Sequence, residues 1–156
     1  MPASARPHLL FDFADPAAAA GWPAIDDRVM GGDSRSRMRH DPAGHAVFEG
    51  VVSLARGGGF ASVRAPCTVP AAVVATDCVV ECRGDGRRFK LALFDGDGFD
   101  LPSHQAEFAA PVGDWQTLRL PLARFVARWR GRDLPGAPAL QPAQIRQAGL
   151  LTAGRT

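Results

Sequence analysis

Apolar residues along this chain alternate with polar ones more often than they recur at helical spacing. That pattern describes short strands with one buried face. The segments 34–40 and 46–54 read as two strands joined by the turn Asp41–Pro42–Ala43–Gly44. Residues 60–64 form another strand, entered from the glycine triplet Gly57–Gly59. The segments 77–83 and 88–95 predict a hairpin across Gly84–Asp85–Gly86–Arg87, with Phe89, Leu91 and Leu93 on one face. Further strands follow at 103–109, 115–121 and 145–151, with a Gly/Pro-rich loop over 130–142. Before all of these, 8–13 alternates enough to be a first strand. Asp15–Pro16 followed by alanines and Gly21 supplies a cap, a proline at the first helical position and a closing glycine, which predict a single short helical turn.

Strands at this spacing, with no sustained helical period, predict an all-β antiparallel sandwich of the jelly-roll kind, built as one domain over 1–156. Ala61, Val63, Val80, Leu91, Leu93, Phe108 and Leu118 should face the core. The complementary positions, including Ser62, Arg64, Glu81, Arg83, Lys90, Gln105, Glu107 and Arg119, then share a polar outer face of mixed charge.

Composition sharpens this picture. Seventeen glycines and thirteen prolines suit many tight turns and disfavour long helices. The net charge of +2 is too small to argue for a nucleic-acid or membrane partner, and Lys90 is the one lysine among eighteen basic residues. No apolar stretch reaches membrane-spanning length, and the first residues lack the charged start and apolar run of a secretory signal, so a cytoplasmic protein without membrane insertion is expected. Cys67, Cys78 and Cys82 are odd in number. Cys78 and Cys82 would lie about 13 Å apart on one strand, too far for a disulfide, so reduced, buried thiols are expected.

Candidate chemistry is sparse. Arg83–Gly84–Asp85 spells an adhesion tripeptide, but a hairpin turn explains it. Asp95–Gly96–Asp97–Gly98–Phe99–Asp100 begins like a calcium loop, but Phe99 stands where an oxygen ligand is needed and Asp100 where glycine is needed. His8, His40, His45 and His104 have no neighbours suggesting a triad, and neither a nucleophile elbow nor a phosphate loop occurs. No catalytic residue, metal or cofactor is therefore expected. Glu81 and Glu107 could pair across strands, but Arg64, Arg83, Lys90 and Arg119 on the same face would neutralise them. The alternative is that Arg64, Arg83, Lys90, Gln105, Glu107 and Arg119 bind a partner, because arginines on rigid strands present planar donors to carboxylates, phosphates or backbone.

Several ordered motifs carry a resemblance across most of the chain. They are Asp27-x-Val29–Met30–Gly31–Gly32-x-Ser34, Phe48-x-Gly50-x-x-Ser53–Leu54, Gly58–Gly59–Phe60–Ala61–Ser62–Val63–Arg64, Arg83–Gly84–Asp85–Gly86–Arg87-x-Phe89–Lys90, Gln105–Ala106–Glu107–Phe108 and Trp115-x-x-Leu118-x-Leu120–Pro121. Together they resemble the complex I intermediate-associated protein 30 family. The resemblance implies a galactose-binding-like β-sandwich. It also implies a non-enzymatic assembly chaperone holding a protein client, such as a subunit of respiratory NADH:ubiquinone oxidoreductase. Shape kinship to carbohydrate-binding modules offers a sugar on the concave sheet face as an alternative. Relatives tied to messenger RNA offer an RNA-contacting domain as a third. The resemblance supplies no catalytic residues.

Departures are visible. Phe89 and His104 stand where the family has tyrosine and another aromatic, and the chain contains no tyrosine. The short start, without a transit peptide, fits a bacterial form. Family members continue into a further strand beyond Thr156. The expectation is therefore an open sheet edge at 145–151, partly covered by 8–13, giving either self-association or a domain of reduced stability.

Overall fold

The computed structural model describes residues 8–25, 34–52, 60–98, 100–129 and 132–152. The motif Val29–Asp33, Ser53–Leu54 and the Gly57–Gly59 triplet lie outside the described residues.

Short helix α1 (Pro16–Ala20) forms where the sequence predicts it. The Asp15 side chain accepts a hydrogen bond from the Ala17 amide, and the chain turns out at Gly21. Ten strands follow among the described residues: β1 (Arg35–Asp41), β2 (His45–Val51), β3 (Ser62–Pro66), β4 (Asp77–Cys82), β5 (Arg88–Phe94), β6 (Ser103–Ala109), β7 (Gln116–Pro121), β8 (Val126–Trp129), β9 (Arg132–Asp133) and β10 (Gln147–Thr152). A six-stranded sheet runs in the order β3-β10-β5-β6-β8-β9, and β1-β2 and β4-β7 form two further antiparallel ladders. Val63, Leu91, Leu93, Phe108 and Ala148 from the large sheet meet Leu120 in one core. Met38, Phe48, Val80 and Leu118 from the two small ladders pack against it. The result is an all-β antiparallel sandwich. Leu93 is almost wholly enclosed, and burying a leucine contributes about 1.5–3 kcal/mol.

The β1–β2 hairpin matches expectation. Asp41 accepts from the Ala43 amide, and Gly44 supplies a φ of 98°. This ladder also explains Gly50, which pairs with Ser36. A Cβ there would be driven into the Arg35 carbonyl oxygen and lie 2.7 Å from the Ser36 Cα.

Three expectations need correction. Segments 77–83 and 88–95 are strands but not a hairpin, because β4 pairs with β7 while β5 pairs with β6 and β10. The Arg83–Arg87 connector instead crosses between layers. It is fixed by Gly84 N–H donating to the Pro111 carbonyl (2.7 Å) and Gly86 N–H to the Ala110 carbonyl (2.9 Å). Second, 8–13 is not a strand. Phe11 and Phe13 turn onto the buried Trp22, with ring centroids 4.8 and 6.0 Å from it. Third, the open edge is not at 145–151. β10 is paired on both sides, by β3 and by β5. The edge beyond β3 is covered instead by Pro23–Ile25: Ile25 N–H donates to the Ser62 carbonyl and Arg64 N–H to the Pro23 carbonyl. The basis for self-association through a C-terminal edge is thereby removed.

Candidate functional site

Antiparallel register places every second side chain of the large sheet on the face turned away from the core. Across one row stand Leu151, Lys90 and Glu107, and across the next stand Arg64, Gly149, Ala92, Gln105 and Val126. Beyond them Gln147 lies beside Phe94, and Ser103 opposes Arg128, which in turn opposes Asp133.

The candidate residues divide among three settings. Lys90, Gln105 and Glu107 come together in an open groove of about 360 Å³ over β5, β6 and β8, whose walls also include Arg88, Arg124, Val126, Arg128 and Asp133. Arg64 shares the face but is committed elsewhere. Its guanidinium lies 3.9 Å from the centre of the Phe94 ring and reaches the Gly98 carbonyl, and burial lowers its pKa. Arg83 and Arg119 belong to the other part of the sandwich. Arg83 stacks over Trp115 at 5.2 Å, and Trp115 also meets the His45 ring edge-on. Arg119 on β7 donates to Asp77 across the ladder at 3.3 Å. A single polar face shared by all six residues is therefore not formed, and the expected neutralisation of Glu81 and Glu107 by Arg64, Arg83, Lys90 and Arg119 is replaced. Glu107 is held by Arg88 at 2.8 Å, a neighbour that reading the sequence missed.

Within the groove the charges do not cancel. Glu107 is bound to Arg88, and Asp133 to Arg128 at 3.1 Å. Gln105 donates to the buried Ser103 hydroxyl at 2.9 Å, which fixes the orientation of its amide. Among the described residues Lys90 and Arg124 have no ion-pair or hydrogen-bond partner, so the groove carries a surplus of positive charge. Burial holds the Lys90 ammonium below the ordinary lysine value. Arg128 pushes it the same way, and Glu107 and Asp133 oppose them. Val126 adds an exposed apolar spot to the wall, being 48% exposed.

Arg124, Val126, Arg128 and Asp133 carried one readable signal. The run Ala127–Arg128–Trp129–Arg130 alternates apolar and polar residues as a strand does. Asp133 gave none, since β9 lies inside a segment that reads as a Gly/Pro loop.

Other chemistry resolves into structure. The Gly96 and Gly98 carbonyls, part of the calcium-like loop, accept hydrogen bonds from the Gln147 amide at 2.7 and 3.0 Å. They therefore hold β10 to the β5–β6 turn. Burial pushes the Cys67 and Cys78 thiols up to about 11, Cys67 also through its proximity to Cys78, so they are poorly reactive at neutral pH. Among the described residues all three cysteines are free, no cluster of His, Cys, Asp or Glu is arranged to hold a metal, and no helix is long and apolar enough to cross a membrane.

The chain is thus an antiparallel sandwich with a polar groove on one sheet. Comparison with known families gives it a place: the profile of complex I intermediate-associated protein 30 matches residues 11–156, and the chain belongs to that family. Family membership suggests a role related to the assembly of respiratory complex I. A search of curated protein sequences finds no match.

Proposed function

We propose that this protein is a non-enzymatic assembly module that holds a protein client through the groove over β5, β6 and β8. The observation that carries the reading is the family match across nearly the whole chain. The groove supplies the surface. Its donors are Lys90, Gln105 and Arg124, while the carboxylates that could serve as acids or bases are engaged by Arg88 and Arg128. Free, partly buried thiols suit a reducing compartment, and the bacterial cytoplasm is the setting we assign.

The sugar alternative is less well supported, because among the described residues the groove wall contains no aromatic ring on which a pyranose could stack. An RNA strand would want the same stacking surface and would meet Glu107 and Asp133 with its phosphates.

The test is affinity capture from the native cell extract followed by mass spectrometry. Subunits or intermediates of the respiratory complex should co-purify with the wild-type protein and be depleted with the Lys90→Glu/Arg124→Glu variant. Recovery of no respiratory subunit, together with a rise in Tm on adding a simple sugar or RNA, would overturn the reading, since a specific ligand raises Tm by mass action.

A further inference from the structure

The charge balance of the groove narrows what it can receive. Four cations (Arg88, Lys90, Arg124 and Arg128) face two carboxylates (Glu107 and Asp133), and both carboxylates are already bridged. We propose that the groove takes a peptide segment carrying a carboxylate side chain next to an apolar residue, with the carboxylate against Lys90 and Arg124 and the apolar side chain on Val126. The inference rests on the client-binding reading above and names the chemistry of the client.

Three observations converge on it. Lys90 and Arg124 have no described partner, so a carboxylate would gain charge-assisted hydrogen bonds without displacing existing ones. Lys90 emerges between Leu151 and Glu107 on a sheet row. Its ammonium lines the groove, and an arriving anion would offset by charge pairing the burial that disfavours its charge. Gln105, fixed by Ser103, presents an amide of the kind that bonds peptide backbone, and the bridged carboxylates can accept backbone N–H groups. A polyanion such as RNA offers no N–H donors along its backbone to satisfy those acids.

The experiment measures binding of blocked peptides containing Glu-Glu-Val, and of the matched Gln-Gln-Val peptides, to the full chain by fluorescence anisotropy. Galacturonate and an oligouridylate serve as competitors. The Glu peptide should bind about tenfold more tightly than the Gln peptide, the scale of one charge-assisted hydrogen bond. Lys90→Gln with Arg124→Gln should remove that preference. Arg87→Gln deletes one charge outside the groove and should change affinity by less than about twofold, as expected for screened long-range attraction. Equal affinity for the two peptides would overturn the proposal. So would a loss with Arg87→Gln matching the groove variants, or displacement of peptide by oligouridylate or galacturonate at lower concentration than by free Glu peptide. Circular dichroism of each variant establishes that it is folded. The two readings fail separately. If the Lys90→Gln/Arg124→Gln protein still captures respiratory subunits while no peptide discriminates, the carboxylate inference falls and the client reading stands. If peptides discriminate but no respiratory subunit is captured, the client reading falls and the carboxylate site stands.

Discussion

Two charged regions of this sandwich look alike in sequence and differ in how their charges close. On the β1–β2 hairpin, Arg37 and Arg39 both meet Glu49, and Arg39 and His45 both approach Asp41. The groove over β5, β6 and β8 has two such bridges of its own, but Lys90 and Arg124 are left over. A closed ladder ties one strand to its neighbour. A surplus cation on rigid strands is a vacancy for an anion, because the fold has already ordered the side chain's surroundings. Charge density therefore does not distinguish the two regions. Among the described residues the hairpin leaves Arg35 over, while the groove leaves Lys90 and Arg124 over together.

The strongest way to break the comparison is through the hairpin backbone. Gly50→Ala forces a Cβ against Arg35 and Ser36. It should cost about 2 kcal/mol or more, a Tm drop of roughly 4–8 °C, seen by thermal denaturation. An unchanged Tm would mean that the ladder does not hold the strands as described.

A smaller effect should appear with pH. The hydrogen bond from Arg39, followed by charge attraction, holds the Glu49 carboxyl below its ordinary value of 4.5. A depressed carboxyl stabilises the fold above the unfolded value, and that contribution is lost as pH falls through the folded one. Wild-type Tm should therefore fall below about pH 4.5 more steeply than that of Arg39→Gln. Parallel acid limbs would show the pair to be inert.

The smallest effect belongs to the groove. Lys90→Gln should alter stability at neutral pH by less than about 0.5 kcal/mol, because no bridge is broken. The slope with pH has the same sign as for Glu49, but here the fold disfavours the charged form instead of favouring it. A lysine whose folded pKa is lowered makes stability rise with pH between its folded and unfolded values, since the unfolded chain binds the extra proton there. That alkaline rise should be absent from Lys90→Gln. A clear loss of stability in this variant would instead make Lys90 a structural residue like Arg39.

How much of this was legible follows from the range of the signal. Asp15 with Gly21, and Asp41 with Gly44, act within a few residues, and α1 and the β1–β2 hairpin follow the sequence closely. Period two assigned Leu91 and Leu93 inward and Lys90 outward, and neighbouring β5 and β6 brought Lys90, Gln105 and Glu107 together as expected. The same periodicity carries no information about partners, so β4 appeared to be the hairpin mate of β5 when its mate is β7. The targets of Arg64 and Arg83 were equally hidden. A guanidinium can stack on an aromatic face as well as bridge a carboxylate, and Phe94 and Trp115 lie some thirty positions away from them in sequence.

The place of β10 has a consequence for how the protein is made. The strand that joins β3 to β5 comes last among the described strands, so β3 has only the short Pro23–Ile25 stretch beside it until residues 147–152 are made. Until then the strip Ala61, Val63 and Ala65 has no sheet to close over it on the ribosome. Long-range pairing of this kind slows folding and leaves apolar strand edges exposed in the meantime. Until residues 147–152 arrive, this sheet is an unfinished surface that other strands must be kept from joining.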